Sequence, residues 1–277
     1  KPPKNYTHKD QDNWPLTFPI CNSTQQSPIN ILSYGVESDP TMFLEFGPFY
    51  NTWLQRAELS NDGVTVEVEL TGGGSPLVSG TAVNNELYRF QQFHFHWGSE
   101  DNVGSEHTID NVRFPLEMHL VHYNDKYDNI IEAATKPDGL LVLAILFKLS
   151  VVNNPFLNPL IIDLGSVRCA SRKLDFNNRV ILAQLLPVNT RFFYQYRGSL
   201  TTPPCLETVN WIIFPETVPI GIQQMLQFRL LAADKDCRTV IGDNWRRTQA
   251  TNSRVVKKPL RGIWFNTIIL YHLKDSF

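Results

Sequence analysis

The sequence has little of several features that would mark broad classes of protein. Its longest apolar run, Leu140–Phe147, is eight residues, far short of the roughly 20 that a membrane-spanning helix needs. That run reads as a buried central strand. Charge of neither sign dominates: the formal net charge is −2, which offers no electrostatic case for nucleic acid or an anionic membrane surface. The cluster Thr71-Gly72-Gly73-Gly74-Ser75-Pro76 has no Gly-Lys-Ser/Thr after it, so it is a turn and not a phosphate loop. No repeat and no linker divides the 277 residues. No secretory apolar segment opens the chain, and Lys1-Pro2-Pro3-Lys4 reads as a mature N-terminus. Cysteine is sparse: Cys21, Cys169, Cys205 and Cys237 allow three pairings, and spacing alone does not choose among them.

What is present is enough apolar material for a core. The chain is 42% hydrophobic and 19% charged, which excludes a disordered chain. The length suits one large domain, taken as residues 1–277, with residues 1–25 as an irregular arm carrying Pro2, Pro3, Pro15 and Pro19. Strands are expected at 64–70, 87–97, 114–124, 140–150, 191–197, 207–214 and 262–273, the first three showing two-residue alternation. Short helices are expected within 155–167, 178–186 and 219–231. There is no regular strand–helix alternation. The expected class is therefore mainly β (α+β): one large, mostly antiparallel sheet with short peripheral helices.

The chemistry concentrates in Phe90–His119. In Gln92-Phe93-His94-Phe95-His96-Trp97, a strand puts Gln92, His94 and His96 on one face and the aromatic rings on the other. In Glu117-Met118-His119-Leu120-Val121-His122, the residues Glu117, His119 and Val121 share a face, and His122 looks the opposite way. If the two strands pair about 4.8 Å apart, three imidazoles converge. A His-x-His pair alone is weak, because many strands carry two histidines with no metal. A polar cluster satisfied inside a sheet core is the plain alternative. It does not account for an amide, a carboxylate and three imidazoles together on apolar strands. Three histidines with an open fourth position describe a catalytic zinc site, and such histidines normally donate their second N–H to an oxygen. Gln92 and Glu117 stand two residues from His94 and His119, where such acceptors belong.

These stretches resemble the zinc site of the α-class carbonic anhydrases. The resemblance runs through Gln26-Ser27-Pro28-Ile29-Asn30-Ile31, Ser105-Glu106-His107, Ser199-Leu200-Thr201-Thr202-Pro203-Pro204, Trp211 and Asn244-Trp245-Arg246, and covers roughly residues 14 to 268. It implies a twisted sheet of about ten strands with zinc (Zn2+) at the base of a conical cleft. It also implies hydration of carbon dioxide to bicarbonate and a proton, with sulfonamides and anions as inhibitors. Zinc on three neutral histidines brings the pKa of a bound water to about 7. By the resemblance, Thr201 accepts a hydrogen bond from the resulting hydroxide and gives its own proton to Glu106. Thr202 helps hold bicarbonate. Val121, Val142, Leu200, Val209 and Trp211 form an apolar wall, His107 supports Glu117, and the Asn244 carbonyl steadies His96.

The same resemblance pairs Cys21 with Cys205 and leaves Cys169 and Cys237 undecided. With the sequons at Asn5 and Asn22, it implies a secreted protein or one on the outer face of a membrane. One position departs from the pattern. Where fast members carry a proton-shuttling histidine after Asn/Asp-Gly, Asp62-Gly63 is followed by Val64. Slow proton transfer is the expectation. Glu67 is a poor carrier at pH 7, and His8 on the arm could swing in, though nothing in the sequence requires it. The rival readings are a non-catalytic relative serving as a binding, storage or matrix protein, and another zinc hydrolase. The family contains members that have lost activity, usually along with zinc histidines.

Overall fold

The computed structural model describes residues 6–260. Fourteen strands form within them: β1 (Asn30–Ile31), β2 (Glu37–Asp39), β3 (Glu45–Phe46), β4 (Arg56–Asn61), β5 (Val66–Gly72), β6 (Leu77–Ser79), β7 (Tyr88–Trp97), β8 (Thr108–Ile109), β9 (Leu116–Asn124), β10 (Leu140–Ser150), β11 (Lys173–Asp175), β12 (Tyr194–Gly198), β13 (Val209–Gly221) and β14 (Lys257–Pro259). Ten of them follow one another across a single sheet in the order β11-β4-β5-β7-β9-β10-β13-β12-β14-β2, with β3 and β6 attached beside β7. Neighbours run antiparallel except β10 with β13 and β14 with β2. The sheet is thus mixed, with one parallel pair near the centre and the other at an edge.

Alternation along β7, β9, β10 and β13 divides the core between the two faces of this sheet. Phe93, Phe95, Trp97, Met118, Leu143 and Phe214 pack on one face. There the helices Asn158–Leu164 and Ile222–Arg229 cover them, through Leu160, Leu164, Met225 and Phe228. Val121, Val142, Val209, Trp211 and Tyr196 pack on the other. All of Leu140–Phe147 is buried, as a strand covered on both faces requires.

Several elements depart from the periodicity for local reasons. The strand expected from Val64 begins at Val66, because the Asp62 carboxylate accepts the N–H groups of Val64 and Thr65 and turns the chain first. The helix expected from Pro219 begins at Ile222, because 219–221 continue β13 beside Lys148–Ser150. Residues 178–186 hold only a 3-10 turn, Leu182–Leu185. The arm, expected to be irregular, carries short helical turns at His8–Asn13, Trp14–Thr17 and Pro19–Asn22. Trp14 anchors it, buried beside Tyr6, Phe18 and the Cys21–Cys205 disulfide. Pro15 and Pro19 sit in first turns, where a missing N–H costs nothing. A second disulfide joins Cys169 to Cys237. The strand expected at Gly262–Leu273 and the sequon residue Asn5 lie outside the described residues; Asn22 is exposed.

Candidate metal centre

β7 and β9 are antiparallel neighbours in which His94 faces His119 and His96 faces Glu117. That register brings His94, His96 and His119 to one face, with one ring nitrogen from each lying within 4.8 Å of the others. The remaining nitrogens are tied to acceptors. His94 Nδ1 meets Gln92 Oε1 at 2.9 Å, His96 Nδ1 meets the Asn244 carbonyl at 2.8 Å, and His119 Nε2 meets Glu117 Oε1 at 2.6 Å. An acceptor on one nitrogen fixes the proton there and leaves a lone pair on the other. The atoms left able to bind a metal are therefore His94 Nε2, His96 Nε2 and His119 Nδ1.

His96 Nε2 is buried with no hydrogen-bond partner, a costly state for a polar atom unless something else takes its lone pair. Burial, with His119 beside it, pushes the His96 ring well below its ordinary pKa, and burial also lowers His119. Both stay neutral, as ligands must. Three neutral imidazoles suit zinc.

The surrounding carboxylates differ in role. Glu117 Oε1 takes His107 Nδ1 at 2.7 Å as well as His119, and Oε2 accepts the backbone N–H groups of Glu106 and His107 at 2.8 Å each. Burial would raise this carboxyl, but its electrostatic attraction to the His107 and His119 rings and the hydrogen bonds they donate outweigh that and hold it well below the usual range. Glu106, equally buried, is pushed well above that range by burial and by the Glu117 charge; the Thr201 hydroxyl and the Arg246 N–H pull the other way. Its Oε1 accepts from Arg246 N at 2.8 Å, and its Oε2 has no partner at hydrogen-bonding geometry. A cation in the histidine cage would also favour the charged form of Glu106.

Thr201 is held on a loop built onto neighbouring chain. Ser199 exchanges hydrogen bonds with Ser27, donating its N–H to Ser27 Oγ at 3.0 Å and accepting Ser27 N–H on Oγ at 2.9 Å. Trp211 Nε1 donates to the Ser199 carbonyl at 3.0 Å, and Cys205 pins the far end. Gly198 permits this, since a Cβ there would stand 2.1 Å from Ser27 Oγ.

The family model of the eukaryotic-type carbonic anhydrase matches residues 9–259. This chain belongs to the carbonic anhydrase family. Carbonic anhydrase 6 of Canis lupus familiaris is 36% identical over 251 residues, which is 90% of this chain and 77% of that protein. Carbonic anhydrase 6 of Homo sapiens is 34% identical over 251 residues, 90% of this chain and 80% of its own.

Within this family member, the apolar residues expected as a wall lie together. Val121, Val142, Val209 and Trp211 share one buried cluster, Leu200 packs against it, and the Trp211 ring stands 4.8 Å from the His119 ring. A cleft of about 310 Å3 opens over His94, His96 and Thr202, with Val64, Thr65 and Glu67 along one side. Val64 is placed there by Gly63, whose φ of +85° suits glycine. A larger hollow, about 710 Å3 near Asp110, Tyr194 and Lys258, contains none of the histidines.

His122 lies behind the sheet, with Nδ1 donating to the Leu120 carbonyl at 3.1 Å and Nε2 accepting from Tyr50 at 2.5 Å. Sequence reasoning left the arm's reach open. Tyr6 and His8 line the cleft, and a His8 ring nitrogen comes within 4.8 Å of ligand-type atoms of His96 and Glu106. No periodicity could reveal this, because the arm is placed by contacts distant in sequence.

Proposed function

We propose that this chain is an active zinc enzyme that reversibly hydrates carbon dioxide to bicarbonate and a proton. The carrying observation is the cage of three neutral imidazoles, each turned by a separate acceptor so that its lone pair faces the same point. Zinc bound there would supply Lewis acidity, lowering the pKa of a water to about 7. The chain's residues do the rest. With Glu106 charged, its carboxylate would accept a hydrogen bond from the Thr201 hydroxyl, leaving the Thr201 oxygen to accept from the attacking oxygen and direct a lone pair to the substrate carbon. Val121, Val142, Val209, Trp211 and Leu200 give a small apolar gas a dry wall. Thr202, which lines the cleft, would hold the bicarbonate product.

Val64 cannot carry a proton out, so we propose that release to buffer limits turnover. The two disulfides and the exposed sequon at Asn22 support work in an oxidising compartment or outside the cell. Sulfonamides and small anions are the expected inhibitors. An aromatic sulfonamide titrated into zinc-loaded protein tests the open site. Stoichiometric binding that abolishes hydration is expected, and hydration untouched at saturating sulfonamide would refute the reading.

A further inference from the structure

Two site groups are held by the backbone of one irregular segment. The Asn244 carbonyl accepts from His96, and the Arg246 N–H donates to Glu106. Residues 241–248 belong to no helix or strand, so their position depends on side chains that grip them. Asn244 is gripped by its own amide, which donates to the Val64 and Phe95 carbonyls and accepts from Trp97 N–H at 2.7 Å. The Arg246 side chain is buried and donates to Gln26 Oε1, the Ser27 carbonyl and the Cys21 carbonyl. The peptide groups on either side of Arg246 have a separate partner, Gln11 of the N-terminal arm. Its Nε2 donates to the Trp245 carbonyl at 3.0 Å and its Oε1 accepts Arg247 N–H at 2.9 Å. The other Nε2 hydrogen goes to the His8 carbonyl at 2.8 Å. A primary amide can serve one donor and one acceptor in this way.

We propose that Gln11 is a positioning residue for the Glu106–Thr201 pair. It brackets Arg246, fixes the direction of the N–H that holds Glu106 Oε1, and through Glu106 keeps the Thr201 oxygen turned as an acceptor. The inference rests on the proposed zinc site. It makes a selectivity prediction that general loosening does not. A ligand that presents a hydrogen to Thr201, such as a sulfonamide N–H, depends on that orientation. An anion without a hydrogen, such as thiocyanate, does not.

The test compares zinc-loaded wild type, Gln11→Ala and Asp12→Ala by calorimetry. Asp12 pairs with the Arg247 side chain but touches neither bracketing peptide group, so it controls for disturbance of the arm. Gln11→Ala is expected to weaken an aromatic sulfonamide about tenfold, the worth of one good hydrogen bond, with thiocyanate affinity and zinc content unchanged. Asp12→Ala should change neither ligand. Equal loss of both ligands, or loss of neither, overturns the proposal. If wild type binds neither ligand, the zinc reading has failed and the clamp is read from amide exchange in metal-free protein. Faster exchange at Arg246 and Arg247 in Gln11→Ala supports the clamp, and unchanged exchange overturns it.

Discussion

His94, His96 and His119 each hold one ring nitrogen on an oxygen acceptor supplied by this chain. Those acceptors grade the expected effects of substitution. Replacing His119 by Ala removes a ligand and should abolish tight zinc binding, while Gln92→Ala only frees the His94 ring and should weaken zinc about 10–100-fold. Competition with a metal chelator measures both. Thr201→Ala should slow hydration about 100-fold, the usual scale for one positioned hydrogen-bonding group, with zinc content kept.

Val64 is proposed to set a different limit. Turnover should rise with the concentration of an imidazole-type buffer, and Val64→His should partly replace that need. A high turnover unchanged down to dilute buffer would show another carrier, and His8→Ala is then the variant to measure. His122 provides a check away from the metal. Burial lowers its pKa to about 3. The folded ring stays neutral while the unfolded chain takes up a proton near the ordinary 6.5. Its contribution to stability is therefore whole above about 6.5 and is lost as pH falls from there toward about 3. NMR of the ring should show no titration between pH 7 and 5.

At the scale of elements, the strands that carry chemistry were the easiest to read. Phe93, Phe95 and Trp97 against Gln92, His94 and His96 alternate without a break, and burial on one face enforces that register. Edges and turns were harder. Nothing local in Pro219-Ile220-Gly221 says that β13 continues beside β10 before the helix starts. The arm's short helical turns depend on Trp14 reaching Cys21 and Cys205, and the Cys169–Cys237 pairing is visible only once residues 168–170 and 232–237 are adjacent. The two disulfides should separate on variation. Cys21–Cys205 spans 184 residues and Cys169–Cys237 spans 68, so chain entropy alone makes the first worth about 0.9 kcal/mol more. Cys205 also ends the Thr201 loop. Loss of Cys21–Cys205 should lower both thermal midpoint and hydration rate, whereas loss of Cys169–Cys237 should lower the midpoint alone.

At the scale of the molecule, the sheet's two faces divide the work. One is sealed by helices, and the other carries the histidines, the apolar wall and the cleft. The core does not rely on metal, so chelated protein should remain folded with a lower midpoint; zinc at a thousand times its Kd would add about 4 kcal/mol. Family and fold class could be read from the motifs, because those residues fix register and ligand set together. The arm's place over the cleft could not, since it is fixed by Gln11 on Trp245 and Arg247, more than 230 positions away.

The three-histidine cage is proposed to hold zinc, and the loaded protein to hydrate carbon dioxide. Zinc content by elemental analysis and hydration rate by stopped flow, taken on the same sample, test it most directly. About one zinc per chain is predicted, with hydration that vanishes on chelation and returns with zinc. Zinc-free protein that hydrates carbon dioxide, or zinc-replete protein that does not, would contradict it.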